Sequence, residues 1–227
     1  MYADGANVRI QNCAFANNQA WSAAGGIYAL QSTVKLNGCV FVRNRTNSTT
    51  TGASGASAIF FDSTWVGSMA ERCFFGGNFA GSDGGAVQCS TCSVTFVNCA
   101  FVGNVAARWG GAILNWNGAD TQIVNCTFAY NQAGTRGGAV ETSASPWASS
   151  ANFANCILWD NVAPSGAQAS SNGNTFSFSI VKGGGFSGSG MLTSDPLFVG
   201  IPNPGSDTKW GTADDYYGDL RLSYGSP

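Results

Sequence analysis

The sequence predicts an all-β chain: a right-handed parallel β-helix with three strands per coil and about six to seven coils. Three observations predict it. The first is a register of six cysteines, Cys13, Cys39, Cys73, Cys99, Cys126 and Cys156, spaced 26, 34, 26, 27 and 30 residues apart. Two residues after each stands Phe15, Phe41, Phe75, Phe101, Phe128 or Leu158, and five after each stands Asn18, Asn44, Asn78, Asn104, Asn131 or Asn161. The second is a break in apolar phase just before each cysteine. The third is composition: 44% hydrophobic residues but only 10% charged, with 31 glycines. Soluble helices carry charged outer faces, and this chain has too little charge to supply them.

The elements of one coil follow in order. Positions five and three before the cysteine are apolar, as in Val94 and Phe96, and positions zero and two after it are apolar, as in Cys99 and Phe101. Strand side chains alternate faces with period two, so the odd residue between these pairs inverts the phase. The chain therefore turns a corner there and keeps both sets inside. The corner position holds Asn12, Gly38, Asn98, Asn125 and Asn155, residue types that accept a left-handed backbone, with Arg72 the exception. A third strand follows at the GGA[IV] segment, whose aliphatic is Ile27, Val87, Ile113 or Val140. Ile59 takes that place after the Ser/Thr/Gly insertion TNSTTTGASGA. Coils of this kind stack about 4.8 Å apart. Each inward position then becomes a ladder, of cysteines, of phenylalanines or of aliphatics, and corner asparagines such as Asn12, Asn98, Asn125 and Asn155 are expected to bond between coils.

With FxxN (FANN, FVRN, FGGN, FVGN, FAYN) and GGA[IV] recurring in register, residues 8–165 resemble the polymorphic outer-membrane-protein repeat of bacterial autotransporter passengers. The later segments NTFSFSIVKGG, DPLFVG and GDLRLSYGSP resemble the C-terminal coils of choice-of-anchor Q β-helix proteins. The resemblance implies export, an extracellular or bacterial cell-surface location and adhesion, and it carries over no catalytic residues. Residues 1–182 are expected to form the coils. Residues 183–227, rich in Gly and Asp, are expected to form an extension lying over the last coil, with the family's anchor missing. The opening MYADGANVRIQNC lacks the charged-then-apolar order of a signal peptide and starts inside a repeat, as a fragment would.

Composition also excludes. The absence of histidine removes Ser-His-Asp and Cys-His catalysis and histidine metal sites. The ten Lys and Arg are scattered and the net charge is −2, which disfavours nucleic acid as a partner. No apolar run approaches the length of a membrane-spanning helix. The ladder cysteines read as buried free thiols, because stacked side chains point in parallel. Cys89 and Cys92 fall outside that ladder, in QCSTCSV, where a local disulfide is expected.

Function is expected on the outward row beside GGA[IV]. Tyr28, Phe60, Gln88, Leu114 and Glu141 occupy it, with Leu30, Asp62, Ser90 and Trp116 two positions on and Trp21 and Trp109 as walls. Rings beside hydrogen-bonding groups make a recognition surface, so Tyr28, Phe60, Trp109, Leu114 and Trp116 are the candidate contacts for a glycan or a surface protein. Two alternatives stand beside this non-catalytic reading. A polysaccharide-processing enzyme would use Asp62, Asp83 and Glu141, with Arg108 and Arg136 as lyase-type bases. A self-assembling fibre would join coils end to end. No cofactor is required, although Asp207, Asp214, Asp215 and Asp219 in the Gly-rich tail could hold calcium through oxygen ligands.

Overall fold

A computed structural model describes residues 1–49, 55–64, 66–144, 146–170 and 172–227; the core of the Ser/Thr insertion, 50–54, lies outside them. The described residues contain no helix, and parallel strands stack into a β-helix of about six turns. The first sheet has six strands, from Tyr2–Asp4 through Ile27–Leu30, Ile59–Asp62, Val87–Ser90 and Ile113–Trp116 to Val140–Thr142. The second, seven-stranded, runs from Asn7–Gln11 to Asn174–Ser177, and the third, also of seven, from Ala14–Ala16 to Ile180–Val181. Pairing is in register along the repeat: Phe75 sits between Phe41 and Phe101, and Val87 between Ile59 and Ile113.

A fourth, short sheet was not expected. Two-residue strands follow each ladder asparagine, from Gln19–Ala20 to Gln132–Ala133, and bury a small residue such as Ala80 or Ala106. The chain thus turns three left-handed corners per coil rather than one. The expected corner is confirmed at Asn12, Gly38, Asn98, Asn125 and Asn155, and Arg72 joins it with φ 51°. A second corner lies at Asn17, Arg43, Gly77, Gly103, Tyr130 and Asp160, and a third at Gln31, Ser63, Thr91 and Asn117.

The core is a set of columns. Phe15, Phe41, Phe75, Phe101 and Phe128 stack face to face with centroids 4.6–5.0 Å apart and interplanar angles of 7° or less. Ile27, Ile59, Val87, Ile113 and Val140 form a second, fully buried column. Cys39, Cys73, Cys99, Cys126 and Cys156 form the third, all free thiols, and Cys13 departs from it by being exposed, since its coil has a stacking neighbour on one side only. Bonding with the neighbouring Cys126 thiol raises Cys99 to about 12, and burial raises Cys156 to about 11, so neither is thiolate at neutral pH.

One expectation about asparagine is corrected. The corner residues Asn12, Asn98, Asn125 and Asn155 are exposed and act through their backbone φ. The hydrogen-bonded ladder is the other series, five after each cysteine. Asn104 Nδ2 donates to Asn131 Oδ1 at 2.9 Å and to the Phe75 carbonyl at 2.9 Å, while its Oδ1 accepts from Asn78 N and Nδ2 at 3.1 and 2.8 Å. The pattern repeats at Asn44, Asn78 and Asn131. It stops at Asn161, which donates to Gln168 Oε1 at 2.8 Å.

The C-terminal region does two things, only one of them expected. Residues 183–192 cover the last coil: Phe186 packs 4.5 Å from Phe176, and Leu192 exchanges backbone bonds with Ser179 and Val181. The chain then runs back along the side of the third sheet instead of staying on the end. Trp210, buried, meets Tyr130 at 6.3 Å and Tyr217 at 6.0 Å, and Tyr217 reaches Phe74 at 5.5 Å. Small residues at the second corner admit this strap: a Cβ on Gly103 would lie 2.3 Å from the Trp210 ring and one on Gly77 2.4 Å from the Tyr217 hydroxyl. Gly103→Asn keeps a residue that tolerates φ 61° yet fills the Trp210 seat. We expect it to release the strap, weakening its docking by about 1–3 kcal/mol. Limited proteolysis should then cleave within 195–222 many times faster while the coil stack resists.

The candidate recognition face

The outward row of the first sheet is where function was expected, and its backbone is in register: Tyr2, Tyr28, Phe60, Gln88, Leu114 and Glu141 are successive partners. Its exposure is not uniform. Leu114 is fully buried, Phe60 only 5% exposed, and Gln88 and Glu141 about 1%. These positions are therefore not an open ring-lined groove. The cause lies in the GGA[IV] motif itself. Its first glycine takes a left-handed φ at Gly84, Gly110 and Gly137 and lays the preceding loop back over the row. A Cβ there would come within 3.2 Å of the Gln88 side chain, 3.0 Å of Leu114 N and 2.6 Å of the Glu141 side chain.

Two groups remain accessible. At the first coils Tyr28 is half-buried and stacks on Phe60 at 5.1 Å, with Tyr2, 59% exposed, tilted against it at 5.4 Å. The Tyr28 hydroxyl donates to Asp62 Oδ2 at 3.0 Å and the Tyr2 hydroxyl to Asp4 at 3.1 Å. Burial, then the Asp62 carboxylate, raises the Tyr28 phenol to about 12, so it remains a donor over the whole physiological range. Asp62 is thus used as an acceptor for a ring hydroxyl.

The second group lies toward the later coils. Trp109 is half-buried between two guanidinium groups, Arg108 at 3.7 Å and Arg136 at 4.5 Å from the ring centroid, and faces Trp116 at 5.9 Å. The arginines are fixed from behind by acids. Arg108 binds both oxygens of buried Asp83, with Nε to Oδ1 at 2.8 Å, and Ser82 donates to the same carboxylate at 3.0 Å. Arg136 Nε lies 2.9 Å from Glu141 Oε1. Burial pushes the Glu141 carboxyl up, against the opposing charge of Arg136. Asp83 and Glu141 are therefore the anchors of an arginine–tryptophan sandwich, and the two oxygens of Asp83 are both taken. Trp21, expected as a groove wall, stands 77% exposed.

The remaining expected sites are placed differently from their sequence reading. Cys89 and Cys92 are free thiols inside the hydrophobic core rather than a surface disulfide. Both side chains turn inward at the end of Val87–Ser90 and into Ser93–Val97, and each raises or shares the other's proton affinity only through thiol contact; burial foremost lifts Cys89 far above the usual thiol range. In the tail, Asp214 accepts from Ser206 N and Oγ and from Thr212 Oγ1, Asp215 from Gly211 N, Thr212 N and Tyr217, Asp207 from Lys209 N, and Asp219 pairs with Arg221. Each acid closes its own turn, and among the described residues no three metal-binding side chains converge. No described helix is long and apolar enough to cross a membrane. Comparison with protein-family models, curated proteins and solved structures finds no match to this chain.

Proposed function

We propose that this chain is a non-catalytic extracellular or cell-surface scaffold of adhesin type, presenting rings at one end of its first sheet to a glycan. The observation that carries this reading is the Tyr2–Tyr28–Phe60 column, in which aligned rings stand beside the carboxylates of Asp4 and Asp62. Sugar rings present flat C–H faces and hydroxyl edges, and aligned aromatics with adjoining acceptors match both. Support for a scaffold comes from the columns themselves: stacked phenylalanines and a closed asparagine ladder hold the face rigid, so binding orders little that is not ordered already. A lightly charged, Gly- and Asn-rich surface and unreactive buried thiols suit an extracellular setting.

The enzyme alternative is weakened because Asp83 and Glu141 are held by Arg108 and Arg136 and Asp62 by Tyr28. The head-to-tail fibre is weakened because residues 183–192 occupy the outer edges of the second and third sheets at the last coil. Electrophoresis through native gels cast with neutral and acidic polysaccharides tests the proposal. Retardation without loss of polysaccharide stain is expected, and Tyr2→Ala with Tyr28→Ala should abolish it while unfolding stays within about 1 kcal/mol of the parent. A cleared track, or retardation untouched by the double substitution, would refute it.

A further inference from the structure

The cap leaves one strand edge of the last coil uncovered. It closes the second and third sheets, whose last strands are Asn174–Ser177 and Ile180–Val181, but not the first. There, residues 166–170 pair downward only: Gly138 N donates to Gly166, Ala139 N to Gln168, and Ser170 N to Val140. Strand alternation then directs the N–H and C=O of Ala169 upward, where they have no backbone partner among the described residues. Opposite this edge runs the glycine turn 183–185 with Phe186. Between them lies a cleft of about 460 Å³, lined also by Arg136, Glu141, Ser165, Ser170 and Lys182. Small-ligand sites are of this size.

At the floor of the cleft is Glu141, about 1% exposed, whose Oε1 faces Arg136 while Oε2 has no hydrogen-bond partner among the described residues. A carboxylate oxygen buried in that way is costly until a donor reaches it. Gln168 adds a directed donor, because its Oε1 is taken by Asn161 and its amide nitrogen is left to the cleft side. An orphan acceptor, a fixed amide, an open N–H and C=O pair, and one aromatic wall converge within a few ångströms of strand.

We propose that this cleft is a binding site for a neutral saccharide unit, with Glu141 and Gln168 engaging adjacent hydroxyls and Phe186 covering the ring's apolar face. The chemistry favours a sugar over a peptide strand. A strand would satisfy Ala169 but would leave Glu141 without a hydroxyl donor, and the open edge is only a few residues long. Arg136 and Lys182 on the walls disfavour a cationic ligand. The site shares with the proposed function only the class of ligand. It lies several coils from the Tyr2–Tyr28 column, so different substitutions test the two.

The test titrates the full chain with hexoses and with maltose, cellobiose and chitobiose, followed by calorimetry. At least one is expected to bind. Glu141→Gln, which keeps the shape and the Arg136 contact, should weaken that binding by about tenfold or more. Ala167→Trp, at an exposed position on the cleft rim, should abolish it with the unfolding transition unmoved, which separates a blocked site from a damaged fold. Tyr2→Ala with Tyr28→Ala should leave it unchanged. Failure of every sugar to bind would overturn the inference. So would sugar binding lost only in the tyrosine variant, or an extended peptide binding in a manner blocked by Ala167→Trp.

Discussion

Asn104→Ala should lower the stability of the chain by roughly 3–5 kcal/mol, far beyond what a surface polar residue costs. Asn104 is fully buried and every polar atom of its side chain is engaged. Removing it leaves Asn78 N and Nδ2 without an acceptor and strips a donor from the Phe75 carbonyl and from Asn131 Oδ1. None of these groups reaches water, so each loses a bond without a substitute. Asn104→Asp has the same shape yet is not a rescue, because a carboxylate cannot donate to Phe75 or Asn131. Asn18→Ala, at the exposed end of the same ladder, should cost no more than about 1 kcal/mol. Urea unfolding of the three variants checks the ordering. Equal losses at Asn18 and Asn104 would mean that the ladder is not what holds the corner.

The contrast between those two asparagine series shows what the sequence can and cannot display. The period, the Phe column and the aliphatic column were legible because an inward position repeats its residue type. Asn12, Asn98, Asn125 and Asn155 were legible as corners because asparagine tolerates left-handed backbone, and all have φ near 50°. Corners at Gln31, Arg43, Ser63, Thr91, Tyr130 and Asp160 take the same backbone with no such residue type, so nothing local announces them. Those corners are imposed by the coils above and below, whose carbonyls accept the corner N–H: Arg43 N donates to Gly76 O and Tyr130 N to Trp159 O. The ladder at Asn104 could have been preferred from the sequence alone, since six of six coils keep asparagine there whereas the corner position admits Gly38 and Arg72.

The candidate site was less legible than the core for a related reason. Alternation correctly placed Tyr28, Phe60, Leu114 and Glu141 on one outward row. Whether an outward residue meets solvent depends on loops that alternation does not describe, and here the loops before Val87, Ile113 and Val140 fold over the row. Likewise the acids were seen as a scattered set. Their arginine partners, Arg108 for Asp83 and Arg136 for Glu141, are separated from them by 25 and 5 residues and meet only through stacking. The strap shows the same limit: Trp210 finds Gly103 across the whole later half of the chain.

The second glycine of GGA[IV] carries the other large expected effect. Gly111→Ala should destabilise the chain by roughly 3 kcal/mol. Gly111 does not need a left-handed φ, so conformational freedom is not its reason. A Cβ there would sit 2.0 Å from the carbonyl oxygen of Gly138 and 2.7 Å from the backbone of Gln132, all rigid main chain. The same approach recurs at Gly85, 1.9 Å from Gly111 O, and at Gly138, 2.0 Å from Ala167 O. A methyl group can be admitted only by parting two coils, which stretches the pairing of Ile113–Trp116 with Val140–Thr142 on one side of the stack. The chain contains its own control. In the last coil the corresponding residue is Ala167, and no further first-sheet strand lies above it, so its methyl meets no carbonyl. Because each coil contacts only its neighbours, the damage should be local in origin. Hydrogen exchange should rise most at Ala112, Ile113 and Ala139 and least in the Phe column. If Gly111→Ala unfolds at the same denaturant concentration as the parent, close coil approach is not why the second glycine recurs. Backbone entropy in the unfolded chain would then even favour the alanine, by about 0.4–1 kcal/mol.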